Sequence, residues 1–254
     1  MNFFSKRIRQ FAQRCGYALT RCQPENGLPL DFSSFQCDVV KRVQPFTKTT
    51  PERIHSLLEV VDYLEHSKIP GSFVECGVWR GGSMMAAAYA LLEKNQTNRE
   101  LWLYDTYTGM TAPSDEDVSR SGVKASSKFE KRATGDDSST WCLADLTDVT
   151  TNMEQTKYPM ERVHLVEGKV EETIPDQAPE QIALLRLDTD WYESTKHELE
   201  QLYPRIPKGG VVIIDDYGDW VGARKACDEY FAQLETPYFL HRIDDTARLL
   251  IKPN

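Results

Sequence analysis

Four aspartates in two short runs carry the densest chemistry in this sequence, Asp188-Thr189-Asp190 and Asp215-Asp216. Each run directly follows an apolar stretch, Ile182–Leu187 and Val211–Ile214. Neighbouring strands of a sheet lie about 4.8 Å apart, so acids at the ends of adjacent strands can share one ion. Left alone, so many close anions raise one another's pKa and destabilise the fold. A hard cation relieves that repulsion, and an all-oxygen ligand set suits Mg²⁺. Successive strand residues face opposite ways, so Asp215 and Asp216 can both ligate only where the chain has left the strand. Tyr217-Gly218 follows them and permits such a turn.

A third acid ends another apolar run, in Phe73-Val74-Glu75-Cys76-Gly77-Val78-Trp79-Arg80-Gly81-Gly82-Ser83. Met84 to Ala88 continues it as a helix start. Strand, glycine turn and helix form a ligand cradle at the carboxyl end of a parallel strand. The spacing is G-x-x-x-G-G, not the G-x-G-x-x-G of dinucleotide sites. Glu75 would repel a pyrophosphate and attract a cationic amino-acid ligand, and S-adenosylmethionine carries an ammonium and a sulfonium. Glu75, Gly77, Val78, Gly81 and Ser83 are therefore candidates for the amino-acid part of that donor. Asp105 closes the next apolar run, Leu101–Asp105, where an acid accepts from ribose hydroxyls in related folds. The turn Gly168-Lys169-Val170-Glu171 follows Val163–Val166 and would meet the adenine edge through Gly168, Val170 and Glu171.

These groups need a sheet to bring them together. Apolar runs at 73–76, 101–105, 163–166, 182–187 and 211–214 alternate with helical stretches, which implies a mainly parallel α/β sheet. Thr50 is an N-cap, Pro51 suits the first helical position, and Ile54, Leu57, Leu58, Val61 and Leu64 mark a buried face. Helices are expected over Trp141 to Met153, Tyr192 to Tyr203 and 222–235, and a closing hairpin over Tyr238 to Arg242 and Arg248 to Lys252. Residues 106–140 read as a polar loop leaving the active edge, an expected lid. Residues 1–48 divide into a basic helix and an irregular connection over 23–48, and 49–254 form the catalytic domain.

The basic segment carries Lys6, Arg7, Arg9, Arg14 and Arg21, with an apolar face of Phe3, Phe4, Ile8, Phe11 and Cys15. A helix docked on the domain or on a second subunit, as in a homo-oligomer, is favoured over a membrane-surface helix, because one short helix binds membranes weakly. A net charge of -9 argues against general nucleic-acid binding. The six cysteines show no Cys-x-x-Cys or zinc spacing, so a reduced, cytoplasmic setting is expected. No apolar run approaches the ~20 residues that span a bilayer. His55, His66, His164, His197 and His241 show no ligand spacing, and no nucleophile motif for hydrolysis stands out.

With these segments in view, the chain resembles the macrocin O-methyltransferase family of S-adenosylmethionine-dependent sugar methyltransferases. The likeness runs from about Thr47 to Phe231 and rests on Thr50-Pro51-Glu52-Arg53, Glu75 to Ser83, Leu187 to Tyr192 and Ile213 to Gly218. It implies a class I methyltransferase fold, a Rossmann-like three-layer sandwich whose seven-stranded sheet has an antiparallel last strand. It also implies Mg²⁺ dependence and methylation of a sugar hydroxyl on a glycoside, natural product or glycan. By the same resemblance Asp188, Asp215 and Asp216 hold the metal and Asp190 is the general base. Three alternatives stay open: a catechol-type O-methyltransferase, a nucleotide-sugar oxidoreductase, and a binding protein without catalysis. The missing G-x-G-x-x-G opposes the second, and the full set of strand-end acids opposes the third.

Overall fold

The computed structural model describes residues 28–253, so the expected basic helix over 1–22 lies outside the described residues. The chain divides into two units, 1–37 and 38–254. In the first, Ser33 Oγ accepts from Gln36 N at 3.2 Å and Gln36 Oε1 accepts from Ser33 N at 2.8 Å. This reciprocal capping box opens α1 (Ser34–Val43). The expected irregular connection over 23–48 is corrected there, since a regular helix fills part of it. Its apolar positions, Val39, Val40 and Val43, are too few to show a period among the flanking prolines.

The second unit is built on one seven-stranded sheet. In chain order its elements begin with α2 (Pro51–His66), β1 (Ser72–Cys76), α3 (Gly82–Glu93) and β2 (Leu101–Asp105). An insertion follows, holding α4 (Ser126–Phe129), β3 (Ala133–Gly135) and β4 (Ser138–Ser139). Then come α5 (Leu146–Gln155), β5 (Val163–Glu167), α6 (Val170–Thr173), β6 (Ile182–Leu187), α7 (Tyr192–Leu202) and β7 (Val211–Ile214). The chain closes with α8 (Val221–Phe231), β8 (His241–Arg242) and β9 (Arg248–Ile251). The strand order is β5-β2-β1-β6-β7-β9-β8. The first five of these run parallel, and β9 is antiparallel to β7, as the sequence led us to expect.

Register brings the acids to one edge. Cys76 pairs with Tyr104 on one side and Leu187 on the other, and Leu187 pairs with Ile214. The next residue on each strand is Gly77, Asp105, Asp188 and Asp215, so all four emerge side by side. Val74, Cys76, Leu185, Leu187, Val212 and Ile214 share one apolar core with Leu199, Leu202, Cys227 and Phe231 of α7 and α8. The alternate strand residues Glu75 and Arg186 therefore face the opposite side of the sheet. Both are buried there, at 1% and 3% exposure.

Several boundaries differ from the sequence expectation, and the helix expected over 222–235 ends at Phe231. The helix expected from Trp141 starts at Leu146, where Asp145 caps it by accepting from Asp148 N at 2.8 Å. The hairpin strand expected from Tyr238 begins at His241. The 106–140 segment is not a free loop. Asp117, 1% exposed, accepts from Ser114 N at 2.7 Å and Tyr192 N at 2.8 Å, tying the segment to the start of α7. Val118 O accepts from Val221 N, and Asp219 O from Arg120 N. Elements of two to four residues are too short to imprint a period on the sequence.

Candidate active site

The turn after β1 is shaped by close backbone approach. Gly77 has φ +81°, and a Cβ there would sit 2.2 Å from the Asp188 carbonyl oxygen. No side chain fits, so glycine alone lets β1 and β6 end this near each other. Asp105 then braces the turn from β2. Its Oδ2 accepts from Val78 N at 2.9 Å and Trp79 N at 3.1 Å, and its Oδ1 from Tyr107 N at 2.9 Å. Burial pushes its carboxyl up, and these N–H groups pull it back. Asp105 also borders the cavity, and its Oδ1 accepts from one backbone N–H where Oδ2 accepts from two.

That cavity, about 400 Å³, opens along the carboxyl edge of the sheet. Of the sequence-predicted site residues, Gly77, Val78, Ser83, Asp105, Gly168, Val170, Glu171, Asp188, Asp190, Asp215 and Asp216 line it. Glu75 and Gly81 are not among its lining residues. Gly81 caps α3 in a left-handed conformation and faces Val149. Glu75 points to the sheet face behind the turn, where its Oε1 accepts from Arg186 Nη1 at 2.6 Å. Burial outweighs that cation and pushes its carboxyl up to about 7.

Asp188, Asp215 and Asp216 each offer an oxygen, all within 4.8 Å of one another. Asp216 Oδ2 is buried without a hydrogen-bond partner among the described residues. An orphaned buried oxygen beside two further carboxylates suits a hard divalent cation. Part of the charge is already answered. Arg186 donates from Nη1 to Asp188 Oδ2 at 2.6 Å and from Nη2 to Asp215 Oδ1. Arg53 donates to Asp215 Oδ2, and to Asp244 Oδ2 at 2.7 Å. Asp215 thus accepts on both oxygens, from Arg186 and, at 3.5 Å, Thr49 Oγ1 on Oδ1 and from Arg53 on Oδ2, so Oδ2 keeps a lone pair for a cation.

Asp190 lies beside these acids in a left-handed conformation, φ +72°. Burial and the nearby Asp188 push its carboxyl up to about 8. Burial and the nearby Asp190 also raise Asp216 well above the carboxylate range.

Sequence reasoning missed several groups. Arg186 is a lone charge inside Leu184-Leu185-Arg186-Leu187, and that interruption was the available signal. Arg53 stands out in the sequence only within the Thr50–Arg53 segment that carries the family resemblance. Trp141, Trp191 and Trp220 meet with ring centroids 5.1 to 6.1 Å apart, and Trp141 and Trp220 line the cavity near Asp190. They come from three separate segments, so no local pattern announces them. Lys169 pairs with Asp137, between β3 and β4, which brings the insertion to the Gly168–Glu171 turn.

The model of the macrocin-O-methyltransferase (TylF) family matches residues 41–250. The chain belongs to that family. Macrocin O-methyltransferase relatives in the same class include demethyldecarbamoylnovobiocin O-methyltransferase of Streptomyces niveus, 30% identical over 193 residues, covering 76% of this chain and 70% of the relative. A second is 8-demethyl-8-(2,3-dimethoxy-alpha-L-rhamnosyl)-tetracenomycin-C 4'-O-methyltransferase of Streptomyces olivaceus, 34% identical over 65% of this chain and 60% of the relative. Among solved structures the O-methyltransferase NovP superposes with a TM-score of 0.72 at 26% identity, over 82% of this chain and 83% of that one. The calicheamicin methyltransferase CalS11, at 20% identity and TM-score 0.57 over 92% of this chain and 99% of that one, shares the fold. The protein is an S-adenosylmethionine-dependent O-methyltransferase with the class I fold. No helix among the described residues is long and apolar enough to cross a membrane.

Proposed function

We propose that the chain methylates a sugar hydroxyl with the help of a divalent cation, taken to be Mg²⁺. The observation that carries this reading is the three-aspartate set within 4.8 Å, set beside Asp190 on the wall of one cavity. Asp188, Asp215 and Asp216 would hold the cation. When bound, it supplies positive charge that favours the ionised forms of these acids and of an acceptor hydroxyl.

The chain's own residues do the rest. The Gly77–Ser83 turn, by Gly77, Val78 and Ser83, holds the amino-acid end of the donor, and Asp105 the ribose. Gly168, Val170 and Glu171 border its adenine. Glu75 acts behind the turn, as the partner of Arg186, and Gly81 acts by shaping the start of α3. Asp190, once ionised, accepts the proton of the acceptor hydroxyl. Trp141 and Trp220 offer apolar ring faces against which a sugar ring packs. Holding acceptor and donor in line supplies much of the rate acceleration.

A sugar acceptor is supported by relatives named for glycosides, such as the rhamnosyl tetracenomycin and mycinamicin III enzymes. Free Cys76, Cys142 and Cys227 accord with a cytoplasmic setting. The reading is tested by incubating the protein with labelled donor and matched panels of glycosides and catechols. Label in glycosides, lost on chelation and regained with Mg²⁺, supports it; label confined to catechols overturns the sugar acceptor.

A further inference from the structure

Glu198, on α7, is a buried acid with no part in the chemistry above. It is 0% exposed. Its Oε1 accepts from Thr189 Oγ1 at 3.0 Å. Its Oε2 has no partner among the described residues. Burial, with Glu171 and Asp216 nearby, raises its carboxyl well above the usual range. An apolar side chain would fill that space without the penalty of burying a carboxyl group, so this acid calls for an explanation.

The explanation lies in its partner. Thr189 separates Asp188 from Asp190. Asp188, Thr189 and Asp190 all border the cavity, and the bond to Glu198 fixes the side chain of the middle residue. The turn has backbone restraints as well: Asp188 N donates to Cys76 O and Trp191 N to Thr189 O, each at 2.9 Å. Neither sets side-chain direction. Asp190 also holds φ +72°, a conformation that a non-glycine residue keeps only when its surroundings enforce it.

We infer that Glu198 is a positioning residue: through the Thr189 hydroxyl it orients the Asp188–Asp190 turn, and so sets where the two carboxylates sit. The geometric part stands on these contacts alone. Its consequence for a cation rests on the reading proposed above.

The test compares full-length wild type with Thr189→Val, Glu198→Gln and Glu198→Leu. Two quantities are read: amide hydrogen exchange across residues 188–192, and Mn²⁺ binding by electron paramagnetic resonance. Calorimetry with S-adenosylhomocysteine serves as the control for the donor site. Thr189→Val and Glu198→Leu should speed exchange of the Trp191 amide about tenfold or more. They should weaken Mn²⁺ binding about 10–100-fold, the range for residues that orient metal ligands. Glu198→Gln keeps an accepting oxygen and should restore both quantities to within about threefold of wild type. The double variant Thr189→Val/Glu198→Leu should be no worse than its poorer parent, because both remove one bond. Donor affinity should hold throughout.

Wild-type exchange in Thr189→Val, or additive losses in the double variant, overturns the inference. Should Glu198→Leu fail to fold, Thr189→Val and Glu198→Gln decide it. Wild type that binds no Mn²⁺ would remove the cation reading, while the exchange comparison would still decide the positioning role.

Discussion

Arg186 and Asp215 are joined across the ends of adjacent parallel strands, Arg186 Nη2 donating to Asp215 Oδ1. The same guanidinium reaches Glu75 and Asp188, so one buried cation ties three acids from three strands. The acid cluster is thereby held together before any metal arrives. Removing one partner of a buried ion pair typically costs about 3–5 kcal/mol, because the remaining charges are left unanswered. Arg186→Met should lower unfolding free energy in urea by about that much. A loss under about 1 kcal/mol would show that the acids adapt without it.

Burial of Asp190 gives a pH dependence with a definite sign. It pushes the carboxyl up to about 8, far above its ordinary value. Asp190 therefore favours the fold fully below the unfolded carboxyl range, and that contribution is lost as pH rises toward about 8. Metal-free protein should melt at lower temperature as pH rises across this window. Mg²⁺ should bind more tightly over the same window, releasing protons into the buffer. Calorimetry in buffers of different ionisation enthalpy measures that release. Binding without proton release would contradict the raised carboxyl of Asp190. Asp190→Asn should flatten both trends.

Asp105 braces the turn and, in the proposed function, also holds the donor ribose. Its backbone bonds to Val78, Trp79 and Tyr107 place the amides that shape the cradle. Asp105→Ala should shrink the thermal shift that S-adenosylhomocysteine gives wild type, since that shift scales with RT ln(1 + [L]/Kd). Hydrogen bonds to a charged group are worth about 1.5–3 kcal/mol, so donor affinity should fall about tenfold or more. An unchanged shift at equal ligand would remove Asp105 from the donor site.

The Lys169–Asp137 pair is half-exposed and contributes little to global stability. Its importance is local, as a tie between the insertion and the turn after β5. Asp137→Ala should leave the melting midpoint nearly unchanged, yet speed hydrogen exchange in β3 and β4 and weaken donor binding. With donor and acceptor analogue both bound, wild-type residues 126–140 should gain protection. Equal exchange in the free and ternary states would show that this part of the insertion does not act as a lid.

Much of this was legible because parallel strands buried on both faces write themselves as apolar runs, and a polar residue marks where each run ends. Ile182–Leu187 and Val211–Ile214 were read to the residue, and so were the acids beyond them. Sidedness was not legible. Glu75 was assigned to the donor because it ends a run, but the pleat turns it to Arg186 on the far face. Partners distant in sequence were equally hidden, as with Arg53 and Asp215 or Trp141 and Trp220. The insertion over 106–140 looked like loop because buried Asp117 and a few backbone bridges order it, with no apolar period.

The central claim is that the strand-end acids divide into cation ligands and a proton acceptor. It is tested most directly by titrating Mg²⁺ into labelled-methyl transfer by chelator-treated wild type, Asp216→Asn and Asp190→Asn. Asp216 is the better ligand variant, since Asp215 also anchors Arg53 and Arg186. Wild type should be inactive until Mg²⁺ is restored, and Asp216→Asn should need more Mg²⁺ but recover in part. Asp190→Asn should stay slower by about 10²–10⁴-fold at saturating Mg²⁺, with donor affinity intact. Full activity of wild type in chelator, or rescue of Asp190→Asn by Mg²⁺, would contradict the account.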